Sequence, residues 1–221
     1  MRREIACLLT LACLMYFERP ALGAPWVSEG TLHGVAVTSR AVAGQEMPEF
    51  RGEAVVRAGL FEIMAVINDA ERHCEWMARC VESRVVRNLK GADRILYQRL
   101  DAPWPVADRD LLVRSSVKVD LSRNEVVSSF RAVKHRAQPL VADTVRIEDL
   151  KGFYRLTAID ENRTRVVYQA LSDPGGSIPK WLAKKASVRI PADTISALRT
   201  QVKRTKGEYK GFEKRFMSET P

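Results

Sequence analysis

Between residues 82 and 171, apolar and polar positions alternate in short runs, and each run stops at a cluster of Asp, Asn, Gly or Pro. A period of two kept up over such a length belongs to consecutive strands with one face buried. It excludes a helical bundle and a parallel βαβ architecture, which need helical repeats between strands. The runs fall at 82–89, 94–100, 110–119, 125–133, 144–149, 152–159 and 164–171, after two earlier ones at 33–42 and 49–57. Short turns such as Lys90-Gly91-Ala92-Asp93 make most neighbours hairpins, so the sheet is an antiparallel meander. Residues 134–143 are a longer loop within it.

Two regions carry the helical period. Leu60, Phe61, Ile63, Met64 and Ile67 predict a helix that ends near Asn68-Asp69. Near the C-terminus, 179–189 and 192–206 read as two helices separated at Pro191, the second with an apolar stripe of Ile195, Leu198 and Val202. A sheet must bury one face against a second layer, and only this C-terminal region is long enough to supply it. The expected class is α+β: a curved antiparallel sheet wrapped around a long C-terminal helix, with a hollow between them. No repeat or linker divides the chain, so one domain is expected over 24–210, with 211–221 as a tail.

The first 23 residues follow a different logic. Met1-Arg2-Arg3-Glu4 precedes an apolar run from Ile5 to Phe17, and Ala21-Leu22-Gly23 supplies the small residues of a cleavage site. This is the layout of a signal peptide cut after Gly23, and it predicts an exported, periplasmic protein. Cys74 and Cys80 then remain; their spacing leaves a disulfide and two buried thiols both open, and it does not suit a metal. The formal net charge of +9 favours anionic surfaces. Export removes nucleic acid from those partners and leaves lipid headgroups.

Catalytic constellations are missing from the sequence. His33, His73 and His135 are scattered outside any metal spacing, there is no nucleophile elbow, and Gly175-Gly176 lacks the Lys-Ser/Thr of a phosphate loop. Asp108 and Asp110 flank Arg109 in DAPWPVADRD, a stretch that reads as a structural clamp stiffened by Pro103 and Pro105. The expectation is a binding protein, not an enzyme, without cofactor or metal. Trp76, Tyr97, Trp104, Phe130, Tyr168 and Trp181 fall on strands or at the ends of elements, where core packing and cavity lining are both open.

Three stretches, read in order, resemble a known family: GLFEIMAVINDAERHCEWM, PWPVADRD and DPGGSIPKWLAKKASVRIPADTISALR. With GVAVTSRAVAGQEMPEFRGEAVV and with Val145-Arg146 before GFYRLTAI, they look like a START domain across nearly all of the chain after residue 23. The resemblance implies a helix-grip fold enclosing one lipid, carried between membranes without chemistry. In it the C-terminal helix and the 134–143 loop cover the cavity. The candidate lining residues are Trp76, Tyr97, Arg99, Trp104 as a wedge at the rim, Arg114, Phe130, Tyr168, Trp181, Ile195 and Leu198.

Cholesterol-binding members of the family carry a buried charged pair, and Ser115 stands where one partner would be. That departure does not support a sterol held by the pair, and leaves Arg99 or Arg114 to meet a phosphate or hydroxyl if either points inward. Sterol, hopanoid, phospholipid and fatty acid remain open. A monomer is expected, in transient contact with anionic membrane through Lys180, Lys184, Lys185, Arg199, Lys203, Arg204 and Lys206. Two other readings use the same scaffold: an enzyme of polyketide cyclase or dehydratase type, with Arg114, Tyr97 or Tyr168 as its polar groups, and a ligand-sensing interaction protein.

Overall fold

A computed structural model describes residues 24–102, 104–136 and 138–219, so the expected leader at 1–23 and Pro103 lie outside the described residues. The alternating runs form one ten-stranded sheet. In chain order the strands are β1 (Val27–Leu32), β2 (Val35–Arg40), β3 (Glu49–Val56), β4 (Cys80–Asn88), β5 (Arg94–Leu100), β6 (Asp108–Asp120), β7 (Glu125–Ala132), β8 (Thr144–Arg146), β9 (Asp149–Asp160) and β10 (Arg163–Asp173). Their spatial order is β1-β2-β3-β10-β9-β7-β6-β5-β4, with β8 alongside β6. Every pairing is antiparallel except that of β8, whose three residues run parallel to Asp108–Asp110 of β6.

Three helices accompany the sheet: α1 (Leu60–Asn68), α2 (Lys180–Arg204) and α3 (Phe212–Glu219). The Glu62 side chain accepts the Gly59 amide at 3.0 Å and starts α1, whose Leu60, Ile63, Met64 and Ile67 are buried. A 3-10 turn, Ala70–Glu75, links α1 to β4 and carries Cys74, which is disulfide-bonded to Cys80. The helix α2 buries Ala192, Ile195, Leu198 and Val202 against Val35, Val37, Leu156 and Val166 of the sheet. Each such aliphatic side chain contributes about 1.5–3 kcal/mol relative to exposure. The face of the sheet toward α2 is called inner below; the other is outer.

Three expectations need correction. The strand expected at 33–42 is present as β2, but a further strand, β1, precedes it in a hairpin that turns at His33 and Gly34 with φ of 52° and 68°. Strand β1 is exposed along five of its six residues, so it carries no alternating pattern to read. Pro191 does not divide the C-terminal region, because α2 runs through it. Its ring is seated on β3: a Cβ added to Gly52 would lie 2.7 Å from Pro191 Cβ, so burial against that glycine offsets the missing amide hydrogen bond. Residues 212–219, expected as tail, form α3, and Phe216 is buried edge-on to Phe61 with centroids 6.4 Å apart.

The Gly52–Pro191 contact gives a direct test. Gly52→Ala should lower stability by about 1–3 kcal/mol, the usual cost of overpacking, measured by urea unfolding. An unchanged midpoint would show that α2 is free to lift off β3.

Candidate functional site

Alternation along the strands puts Ser128 of β7, Tyr154 of β9, Tyr168 of β10 and Gly52 of β3 on the inner face, and the ladder sets them side by side: Ser128 opposite Tyr154, Tyr154 opposite Tyr168, Tyr168 opposite Gly52. The two tyrosine rings lie 4.9 Å apart, and Phe130 completes a trio at 5.8 Å from Tyr154 and 5.9 Å from Tyr168, stacked on the latter. Gly152 makes room for it, since a Cβ there would lie 2.6 Å from the Phe130 ring. Ile195 and Leu198 of α2 and Trp76 after the 3-10 turn belong to the same apolar cluster as the tyrosines. A second cluster, Leu111, Val113 and Ile147, continues from Phe130 toward the start of β6.

Polar groups within this apolar wall are few. Burial holds the Tyr168 phenol up at about 12 and raises that of Tyr154 well above its ordinary range, so both stay protonated at neutral pH. Trp76 Nε1 is buried with no hydrogen-bond partner. His73 is buried and driven toward the neutral form by desolvation; its two nitrogens meet Ile67 O at 3.0 Å and Gln98 Nε2 at 2.9 Å.

The structure thus brings together five of the ten candidate lining residues, Trp76, Phe130, Tyr168, Ile195 and Leu198, and separates the rest. Gln98 faces the inner side, toward His73 and Met77, so its neighbours Tyr97 and Arg99 face outward. Tyr97 packs with Ile95 and Leu112 in an outer cluster. Arg99 pairs with Asp108 at 3.3 Å, and Arg114, also outward, with Asp93 at 3.0 Å. Neither guanidinium is on the inner face. Trp104 is 93% exposed and Trp181 68% exposed, so neither belongs to the buried inner wall. The 134–143 loop differs likewise: Val141 packs on the outer Tyr97 cluster, so the loop is anchored on the face away from α2. Tyr154 and Ser128 complete the inner row; their alternation with Leu156 and Val126 was the signal in the sequence for their side of the sheet.

The clamp at the start of β6 also has different partners from those expected. Arg109 donates to three carbonyls, Ala107 O, Pro174 O at 3.4 Å and Gly175 O at 3.2 Å, rather than to an aspartate. Asp110 is fully buried and holds Arg146 of β8 in a two-point pair at 2.6 and 2.7 Å. Asp108 accepts from Arg99 and from the Ala102 amide. Arg146 also reaches Pro139 O at 3.0 Å. The loops 101–107 and 133–143 and the turn before α2 are therefore tied to one end of the sheet. At the far end, an open cleft of about 800 Å³ is lined by the carboxylates of Glu62, Glu125, Asp160, Glu161 and Glu213 with apolar residues such as Phe61 and Ile159 between them.

The START domain family profile matches residues 21–206. The chain belongs to the START domain family. Its inner wall under α2 is the helix-grip arrangement of that fold. An uncharacterized protein of Pseudomonas aeruginosa is 30% identical over 180 residues, 81% of this chain and 88% of that protein. A crystal structure of a STAR-related lipid transfer protein fragment from Xanthomonas axonopodis is 31% identical, with a TM-score of 0.73 over 80% of this chain and 98% of that one. Human STARD10 shares the fold at 20% identity, with a TM-score of 0.74 over 87% of this START chain and 78% of its own.

Two measurements check the site. Asp110→Ala strands the Arg146 guanidinium and should cost about 3–5 kcal/mol, read by chemical denaturation; a loss under ~1 kcal/mol would show that the pair is dispensable. Because the Tyr168 phenol titrates near 12 when folded against 10.0 ordinarily, its contribution to stability is complete below pH 10 and disappears as the pH climbs toward 12. Ultraviolet titration should leave Tyr154 and Tyr168 un-ionised at about pH 11. Simultaneous ionisation of all tyrosines near pH 10 would contradict their burial.

Proposed function

We propose that this START domain carries one lipid molecule between the inner face of the sheet and α2, and delivers it to membranes without altering it chemically. The observation that carries this reading is the aromatic and aliphatic wall of Phe130, Tyr154, Tyr168 and Trp76 facing Ile195 and Leu198, in a fold shared with lipid transfer proteins. An apolar ligand leaving such a wall for water loses roughly 0.8 kcal/mol per exposed CH2, so release is favourable only against a bilayer.

The end of the sheet held by Arg109 and Arg146 suits that contact. Trp104 in the loop before β6, Leu140 in the loop before β8, and Trp181, Leu182 and Ile190 on the first half of α2 are all exposed. Lys184, Lys185 and Arg189 are exposed among the last three, Arg189 beside Asp193 at 3.7 Å, and each of the two lysines contributes about 1 kcal/mol near an anionic surface. Arg199 and Arg204, expected in the same role, are engaged elsewhere: Arg199 donates to the carbonyls of His33, Gly34 and Val55, and Arg204 to Glu75. The covering element in this reading is α2 with the turn before it. The Cys74–Cys80 disulfide supports an oxidising compartment, in line with export to the periplasm.

Native mass spectrometry of the purified protein, followed by lipid extraction, should find one apolar ligand per chain, and the protein should take up diphenylhexatriene. An empty protein that refuses this probe would overturn the carrier reading. Association with anionic phosphatidylglycerol vesicles should fall at least about tenfold in 1 M salt or in a Trp104→Ala, Trp181→Ala variant. Salt-independent association would remove the electrostatic part.

A further inference from the structure

The row Ser128, Tyr154 and Tyr168 has a property that core packing does not explain. The residues are 4%, 7% and 8% exposed, lie on three adjacent strands and present three hydroxyls, none of which is hydrogen-bonded to a described residue. Among the described residues the sealed polar atoms without a partner are Arg51 Nε, Trp76 Nε1, Ser83 Oγ and Arg114 Nε, and the three hydroxyls, not being among them, each keep a little accessible surface. A hydroxyl in an apolar surround costs desolvation unless water or a ligand group bonds it, and three neighbouring ones add to that cost. Phenylalanine and alanine would pack the same wall without that penalty.

The charges around the row restrict what can satisfy it. Arginines at inward positions of the strands are Arg94 and Arg109. Arg94 donates to the neutral Asn68 Oδ1, and its register partner Ser115 is also the register partner of Phe130, which places it two strands from that ring. Arg109 is closed on the carbonyls of Ala107, Pro174 and Gly175 at the end of the sheet. Arg99 and Arg114 face outward onto carboxylates. A phosphate or carboxylate brought to the row would lose its water, and no cation stands within the row of Ser128, Tyr154 and Tyr168 to offset that. An uncharged hydroxyl or ester carbonyl can instead accept from a tyrosine O–H and, as a hydroxyl, donate to its neighbour. Burial keeps both phenols protonated and therefore available as donors.

On the basis of the carrier reading, we infer that the lipid bound here ends in an uncharged hydroxyl or ester group, and that Ser128, Tyr154 and Tyr168 hydrogen-bond it. Phe130, stacked on Tyr168, covers the adjoining apolar part. The row thereby selects neutral lipids against those whose polar end is charged.

The test uses two lipids that differ only at that end. The full protein is incubated with phosphatidylcholine vesicles containing dioleoylglycerol or dioleoylphosphatidate, re-isolated, and its lipid quantified by mass spectrometry. Dioleoylglycerol should load at least about tenfold better than dioleoylphosphatidate. A Tyr154→Phe, Tyr168→Phe variant should lose about tenfold in dioleoylglycerol loading and keep its uptake of diphenylhexatriene, which has no polar group. Equal or better loading of phosphatidate by the wild type overturns the inference even if the variant does not fold. So does unchanged dioleoylglycerol loading by a folded variant. If the wild type takes up diphenylhexatriene without this preference, the carrier reading stands and only the neutral-lipid selection falls; if it takes up neither probe nor lipid, both fall.

Discussion

The two-point pair between Asp110 and Arg146 holds the end of the sheet from which α2 departs. A buried ion pair need not add net stability, since desolvation of both charges offsets much of their attraction, but it is demanding about geometry. Here it locks β8 parallel to the first three residues of β6, in the space that β7 leaves free. The strand period then assigns the neighbouring residue to the opposite face. Asp108 and Asp110 look outward to Arg99 and Arg146, while Arg109 looks inward and binds the turn from which α2 departs. Three residues in a row thus fix two loops and the root of a helix.

The helix depends in turn on a close approach. At Gly52 the backbone of β3 comes near enough to α2 for Pro191 to lie directly on it, and this contact sets the distance between helix and sheet over the tyrosine row, because Tyr168 pairs with Gly52 across the ladder. Gly152 does the same for Phe130. Two glycines without side chains therefore shape the aromatic wall as much as the aromatic residues do.

Much of this was legible in the sequence, because the period of two survives wherever one face of a strand is buried and gives the meander, while the helical period gives α1 and the stripe of Ile195, Leu198 and Val202. The failures have physical causes. Strand β1 is an exposed edge with no buried face, so no pattern marks it. Pro191 reads as a break until the glycine beneath it is known. Tyr97 and Arg99 can be placed on one side of β5 by parity, but which side is inward depends on the contact between Gln98 and His73, which joins distant segments. Trp104 and Trp181 have apolar side chains like those of the core; only the folded surface distinguishes them. The adjacency of Tyr154 and Tyr168 is a matter of register, which no single strand contains.

Pro191 has a mechanical consequence. Without an amide hydrogen it cannot bond the Ser187 carbonyl, so the turn 187–191 is the most compliant part of a 25-residue helix. Behind it, Ala192, Ile195 and Leu198 are clamped into the core; ahead of it, the helix is latched through the turn that Arg109 binds. The first half of α2 is thus a span pinned at both ends, by the turn that Arg109 binds and by Pro191 on Gly52, with one backbone hydrogen bond fewer at its inner end.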